Sequence, residues 1–185
     1  MRTIYSVLRK SAAIFLFGSL AAVSAASISL NPVEQSVQVG QEATIQINMD
    51  FSGDPTIGGG IDILFDDFTN GTELTFVSYE AADIGDPGLR RDPDVESDKL
   101  NSIGITAFDG LPEQALVGTI KFIANDMGEY TLTPTESTGV AGGFFALVDT
   151  GQPVVEQNPD LFGATITVVP LPAALWLLGV GLFGL

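Results

Sequence analysis

The 185-residue sequence contains no cysteine and no histidine. Without cysteine the protein has neither disulfides nor thiolate metal sites. Without histidine it lacks the side chain that most often acts as a general base near neutral pH. Serine nucleophiles therefore have no histidine partner, and nothing in the sequence distinguishes a working pair of catalytic carboxylates. We expect a protein that is not an enzyme and that has no cofactor.

Basic residues are scarce and unevenly placed. The sequence has seven lysines and arginines against 23 aspartates and glutamates, and three of the seven lie within the first ten residues. The first acidic residue is Glu34, so removal of the N-terminus would leave 23 acidic and four basic residues, a net charge of −19. Such a surface repels nucleic acid and anionic lipid headgroups. It suits a solvated extracellular protein.

The first 26 residues have the three regions of a secretory signal peptide. The basic residues Arg2, Arg9 and Lys10 come first, and an apolar stretch follows over residues 12–23. That stretch is short for a bilayer span. Small residues come next, and cleavage after Ala25 or Ala26 fits the small-x-small rule. We predict a signal helix over residues 1–26, with an uncleaved anchor as the alternative.

The C-terminal segment, residues 169–185, begins with a proline-rich motif and continues as an apolar stretch. The motif consists of Val169, Pro170, Leu171, Pro172 and Ala173. Its prolines cannot donate ladder hydrogen bonds, so they end the strand pattern before them. The 13 residues from Ala173 to Leu185 would form about 20 Å of helix, whereas a membrane span needs about 20 residues. We therefore expect further apolar residues and a basic cluster beyond Leu185.

This C-terminal segment resembles the PEP-CTERM class of sorting signals, in its VPLPA variant. Members of that class carry a short proline-containing motif, then a transmembrane helix, then a few basic residues. Here residues 169–173 match the motif and residues 174–185 match the start of the helix, but the basic cluster is missing. The resemblance implies transient membrane anchoring and recognition by an exosortase, a membrane-embedded protease of Gram-negative bacteria. It also implies delivery to the cell surface or the exopolysaccharide matrix. The alternative is an ordinary membrane anchor.

Residues 27–168 show the alternation of apolar and polar side chains that is typical of half-buried β-strands. The clearest strands are residues 43–51, 116–122 and 162–168, and further candidates are residues 33–39, 61–65, 74–79, 103–108, 130–133 and 144–148. In the second of these, the alternation puts Leu116, Gly118, Ile120 and Phe122 on one face. Turn signals separate the strands, and no amphipathic helix interrupts them. The pattern predicts a single all-β sandwich domain.

The same region resembles a cohesin-like domain. The similar segments are residues 39–47, 60–66, 74–78, 118–122 and 128–132. The resemblance runs over residues 30–168 and implies a jelly-roll sandwich of about nine strands, related to some carbohydrate-binding modules. In the whole chain this sandwich would be flanked by the N-terminal signal helix and the C-terminal apolar helix. A dockerin-type protein or a polysaccharide is the implied partner. Residues 81–101 do not align with the family, so no binding residue is carried over.

Two acidic groups are candidates for binding a hard cation such as calcium. The first lies in the charged stretch 81–101, which we expect to be a surface loop with at most one helical turn, and comprises Asp92, Asp94, Glu96 and Asp98. Counted from Asp92, the positions at which an EF-hand loop needs glycine and glutamate hold Ser97 and Ile103. The second group comprises Asp62, Asp66 and Asp67. For both groups the alternative is a solvated acidic surface, and we assign no metal site.

Aromatic side chains that could stack on sugars are few. Residues 27–168 contain no tryptophan, and most of their nine phenylalanines fall where core strands are expected. Phe144 and Phe145 are the exception, because adjacent strand residues point to opposite faces, so that either one of them is exposed or both layers are buried there. A sugar-stacking platform is therefore not indicated. The leading hypothesis is an exported, non-catalytic surface or matrix protein that acts as a structural or adhesive module. The alternative is a cohesin-like or carbohydrate-binding module.

Overall fold

The computed structural model describes residues 26–66, 73–139, 142–148 and 155–171. These residues form thirteen β-strands and no helix. The strands are β1 (Ser27–Asn31), β2 (Glu34–Gln38), β3 (Glu42–Asp50), β4 (Thr56–Asp66), β5 (Leu74–Ala81), β6 (Asp94–Val95), β7 (Lys99–Thr106), β8 (Gln114–Ala124), β9 (Gly128–Glu136), β10 (Phe144–Ala146), β11 (Glu156–Gln157), β12 (Asp160–Phe162) and β13 (Ala164–Val169). Four of them have two or three residues, so the structure has more strands than the nine or so expected. β1 was not among the predicted strands, and the strand predicted over residues 144–148 is the short β10.

The strands form two sheets that pack face to face. The five-stranded sheet has the order β12-β1-β3-β8-β5. The larger sheet has the order β11-β10-β4-β9-β13-β2, with β7 paired to β4 and β6 paired to β7. The chain crosses between the sheets after β1, at a cis peptide bond between Asn31 and Pro32. The predicted all-β sandwich is confirmed. The two flanking helices were predicted for segments that lie almost wholly outside the described residues.

The described part of the chain contains no helix that could cross a membrane.

The core is built from the inward-facing side chains of both sheets. In β3 every second residue from Ala43 to Met49 is buried, as the alternation predicts. Phe122 of β8 lies between two other rings, with centroids 5.5 Å from Phe65 and 6.3 Å from Phe76, both edge to face. Such geometry is favourable for aromatic pairs. The core therefore joins the two sheets through side chains that the sequence pattern places inward.

The face predicted for β8 from the alternation of its side chains is wrong at its first residue, Leu116. Gly118 and Leu116 of β8 pair with consecutive residues of β3, so Val117 between them is the extra residue of a β-bulge. Val117 is buried, while Leu116 turns to the outer face, opposite Asn48. The alternation from Gly118 onwards holds. A bulge shifts the pattern by one residue, and a short apolar run does not reveal such a shift.

The charged stretch 81–101 has more regular structure than expected. It runs along the edge of β7, where Arg91 and Gly104 exchange backbone hydrogen bonds of 2.9 and 3.0 Å. It includes β6 and the first residues of β7, and its residues 87–89 form one hydrogen-bonded turn, in which the Leu89 N–H donates to the Asp86 carbonyl at 2.8 Å. The strand predicted from residue 103 begins at Lys99 instead. Pairing with β4 and β6 makes these polar residues a strand, because backbone hydrogen bonding does not depend on side-chain alternation.

Candidate functional site

Loops at one end of the sandwich carry large apolar side chains that are exposed. Phe108 is 72% exposed, Leu147 is 40% exposed and Leu89 is 39% exposed. The backbone N–H of Phe108 donates to a carboxylate oxygen of Asp86 at 3.3 Å, and that of Leu89 donates to the Asp86 carbonyl at 2.8 Å. The Leu147 side chain packs over Gly110, two residues beyond Phe108. We call Leu89, Phe108 and Leu147 the apolar end.

A groove of about 290 Å³ adjoins Leu89 of the apolar end. Its floor is formed by Gly59 of β4 and by Gly104 and Thr106 of β7. Its wall is the segment 88–91, which follows the edge of β7. Gly59 and Gly104 are both buried, and the backbone N–H and carbonyl of Gly104 are hydrogen-bonded to Arg91. The groove is therefore a recess between the sheet and the segment 88–91, beside the exposed Leu89.

Two of the four basic residues that follow residue 10 line this groove. Arg90 donates to the Ala82 carbonyl at 2.9 Å and forms an ion pair with Asp83 at 3.1 Å. Arg91 pairs with Asp94 at 2.7 Å, and its Nε is buried without a hydrogen-bond partner in the described part of the chain. Exposed ion pairs stabilise a fold only weakly. The side chains of Arg90 and Arg91 are 21% and 37% exposed, so their positive charge is partly accessible at this groove.

The alternating acids of residues 92–98 do not converge on one point. Asp94 binds Arg91, and Glu96 accepts a hydrogen bond from Asn101 at 3.0 Å and lies 3.8 Å from Lys99. Among the residues that the structure describes, no group of three or more carboxylates has the arrangement of a metal site. Asp94 and Glu96 instead neutralise basic neighbours along the edge of β7.

Of the second acidic group, Asp62, Asp66 and Asp67, only the side chain of Asp62 is described by the structure. Asp62 is 4% exposed, and its carboxylate accepts a hydrogen bond from the backbone N–H of Ser102 at 2.8 Å. It therefore stabilises the pairing of β4 with β7 and does not face solvent. The side chain of Asp66 and the whole of Asp67 fall outside the described ranges.

Neither Phe144 nor Phe145 is fully exposed, which fits the alternative that both layers are buried at this pair. Phe144 is 2% exposed and packs against Phe51, with a centroid distance of 5.4 Å, and Phe145 is half-buried. Phe108 and Phe162 are instead 72% and 53% exposed. Phe108 ends a predicted strand and is followed by Asp109 and Gly110, a pair of residues that favours a turn, and this position was the one sequence signal for its exposure. No signal of that kind singles out Phe162.

The predicted terminal signals lie at the limits of the described chain. Val169 ends β13, and Val169, Pro170 and Leu171 are exposed. Pro172, Ala173 and Ala25 are outside the described residues. Ala26 is buried, and its carbonyl accepts a hydrogen bond from the backbone N–H of Asp160 at 2.8 Å. Ala26 is therefore packed as part of the domain.

Cohesin structures superpose on most of this chain. A type I cohesin–dockerin complex from Clostridium thermocellum matches with a TM-score of 0.58 and 11% identity over 79% of this chain and 100% of that one. A non-cellulosomal cohesin from Archaeoglobus fulgidus matches with a TM-score of 0.54 and 13% identity over 79% and 92%. A type III cohesin module from a cell-surface anchoring scaffoldin of Ruminococcus flavefaciens matches with a TM-score of 0.54 and 11% identity over 78% and 87%.

The chain has the cohesin fold. No protein-family model matches the sequence, and no curated protein is significantly similar to it. The likeness is thus one of architecture, with identities of 11–13% in these three structures. A shared fold does not determine function, which depends on the surfaces that this chain presents.

Proposed function

We propose that this protein is an exported, non-catalytic cohesin-like module that binds a protein partner of the dockerin type outside the cell. The observation that carries the proposal is the apolar end, where the ring of Phe108 is 72% exposed beside Leu89 and Leu147. The fold supports it, because the matched Clostridium thermocellum structure is a cohesin–dockerin complex. A cluster of exposed large apolar side chains marks a site of protein interaction.

The chemistry of the surface defines the partner. Aromatic side chains near the centre of an interface contribute most of its free energy, and burying one such ring contributes about 1.5–3 kcal/mol. Arg90 and Arg91 beside the apolar end attract an acidic group, whereas the rest of an acidic domain repels one. We therefore expect a partner that presents an apolar side chain flanked by a carboxylate.

Export and delivery belong to the same proposal. A signal peptide over residues 1–26 would direct secretion, and an exosortase would recognise residues 169–173 while the apolar helix anchors the protein. In support, the first three motif residues are exposed where the chain leaves β13. The destination would be the surface or the exopolysaccharide matrix of a Gram-negative bacterium, which suits a net charge of −19 after signal removal.

Titration calorimetry of the full chain in a polyoxyethylene detergent against a panel of purified dockerin modules tests the binding function. Phe108→Ala should weaken binding by about tenfold, which is about 1.4 kcal/mol, because it removes the most exposed ring of the apolar end. Phe162→Ala is the matched control, since it removes an exposed ring from the other sheet. Failure of every dockerin module to bind, or equal losses in the two variants, would contradict the proposal.

A further inference from the structure

The outer face of the five-stranded sheet carries a row of polar side chains in register. Ser29 lies opposite Asn48, and Asn48 lies opposite Leu116. In the next row Asp50 lies opposite Gln114. A groove of about 450 Å³ runs over these two rows and is lined by all five residues. The bulge at β8 contributes to it, because it turns Leu116 outward next to Asn48.

An exposed aromatic ring stands at one end of this polar groove. β12 pairs in parallel with β1, and this pairing places Phe162 opposite Ser29. The neighbouring Leu161 packs against the core, so Phe162 points to the outer face, where it is 53% exposed. From Phe162 to Leu116 the row crosses three strand spacings, about 14 Å. The ring and the polar groups therefore lie along one line across the sheet.

The polar groups of the groove keep hydrogen-bonding capacity for a ligand. The side-chain amide of Gln114 donates to Asp50 at 2.8 Å, which leaves its carbonyl oxygen as an acceptor. The side-chain amide of Asn48 has no hydrogen-bond partner in the ranges that the structure describes. Hydrogen bonds from Ser52, and a weaker one from Gln114, hold the pKa of Asp50 below its usual value, so the carboxylate is ionised at neutral pH.

We propose that this groove binds a chain of neutral sugars. Neighbouring hydroxyl groups of a sugar both donate and accept, which matches the side-chain amides of Asn48 and Gln114 and the carboxylate of Asp50. The apolar face of a sugar ring packs on a flat aromatic ring, which Phe162 supplies. This combination of an exposed ring with amide and carboxylate groups in one row defines the ligand class.

Charge selects neutral sugars over acidic ones. Asp50 lines the groove, and Asp160 lies in the same row on the same face, two strands away across Ser27. The domain as a whole is strongly acidic, so it repels uronate and sulfate groups. The groove lies on the five-stranded sheet and the apolar end adjoins the larger sheet, so a glycan and a protein partner can bind together. The glycan site does not depend on the proposed function.

Titration calorimetry of the full chain, in a detergent without a sugar headgroup, tests the site. The probes are cellohexaose, xylohexaose, mannohexaose and laminarihexaose, with polygalacturonate as the charged comparison. We expect at least one neutral probe to bind and polygalacturonate to bind more weakly. Phe162→Ala and Gln114→Ala should each weaken that binding by about tenfold, which is about 1.4 kcal/mol. Both side chains are exposed, so the variants should fold, and circular dichroism checks this.

The matched control is Phe108→Ala, which removes a ring that is 72% exposed, against 53% for Phe162, beside the other sheet and should leave glycan binding unchanged. Lack of binding to all four neutral probes would overturn the proposal. So would a preference for polygalacturonate, or an equal loss in Phe108→Ala and Phe162→Ala. Dockerin binding, measured on the same variants, should be weakened by Phe108→Ala and left unchanged by Phe162→Ala. Each of the two functions can therefore fail without the other.

Discussion

At the scale of single residues, buried polar groups support the irregular points of the fold. Ser102 has a φ of 63°, which is uncommon for a residue with a side chain. Its backbone N–H is directed at the buried carboxylate of Asp62, and its hydroxyl lies 3.4 Å from that of Ser137. The sequence offered Asp62 only as part of an acidic group. A buried carboxylate with a backbone donor has the same sequence signature as a solvated one, so its role could not be predicted.

Replacing Asp62 should show how much its carboxylate contributes to the stability of the fold at Ser102. Asp62→Ala removes the acceptor and leaves the Ser102 N–H buried without a partner, which should lower the free energy of unfolding by about 1–3 kcal/mol. Asp62→Asn keeps an acceptor oxygen in the same place and should cost clearly less. Urea denaturation of both variants, followed by circular dichroism, gives the comparison. If both variants lose the same stability, the acceptor is not what matters at this position.

At the scale of elements, long alternating strands could be predicted and short ones could not. β3 follows its apolar pattern closely, and β13 follows its pattern from Ala164 onwards. Phe162, predicted to begin the same strand as Ala164, instead ends β12 in the other sheet, so that prediction is wrong at Gly163. Strands of two or three residues, such as β6 and β11, are too short to show a period. The sequence also predicts β4 only from residue 61, after its three glycines, because glycine disfavours strands. Pairing of residues 58–60 with β7 overrides that preference.

Gly59 shows why this part of β4 needs glycine. A β-carbon at Gly59 would collide with the carbonyl oxygen of Gly143 and lie 2.6 Å from the α-carbon of Phe144. These are backbone atoms that cannot move aside cheaply, so Gly59→Ala should lower the free energy of unfolding by about 1–3 kcal/mol or more. Gly88 lines the same groove, but a β-carbon there meets nothing within 4 Å. Gly88→Ala should change stability by about 0.5 kcal/mol at most.

Urea denaturation of the two glycine variants in parallel makes the comparison. A loss confined to Gly59→Ala supports the close approach of β4 and the segment before β10. Similar stability in both variants would mean that the segment can shift to admit a side chain.

At the scale of the whole molecule, the core of the sandwich separates the two proposed binding surfaces. The alternation in the sequence predicts a sandwich of two sheets, and the acidic composition predicts a partner other than nucleic acid. Neither surface could be predicted, because the exposure of Phe108 and Phe162 depends on which loops and edge strands pack beside them. Phe162 in particular follows an alternating pattern that would suit a core strand equally well. If both surfaces are occupied, the module links a protein to a polysaccharide, which is an adhesive role in a matrix.

The whole protein is predicted to be delivered to the cell surface or the matrix. The chain leaves β13 with Val169 37% exposed and Leu171 39% exposed, so an enzyme at the membrane surface can reach this end of the domain. Fractionation of the epitope-tagged gene product in an exosortase-bearing host should find the intact protein at the surface or in the matrix. A variant without residues 169–173 should stay in the membrane fraction, because its helix still anchors it while the recognised motif is gone. Phe108→Ala controls for altered binding and should be delivered normally. Identical distribution of the intact protein and the deletion variant would rule out recognition of this motif.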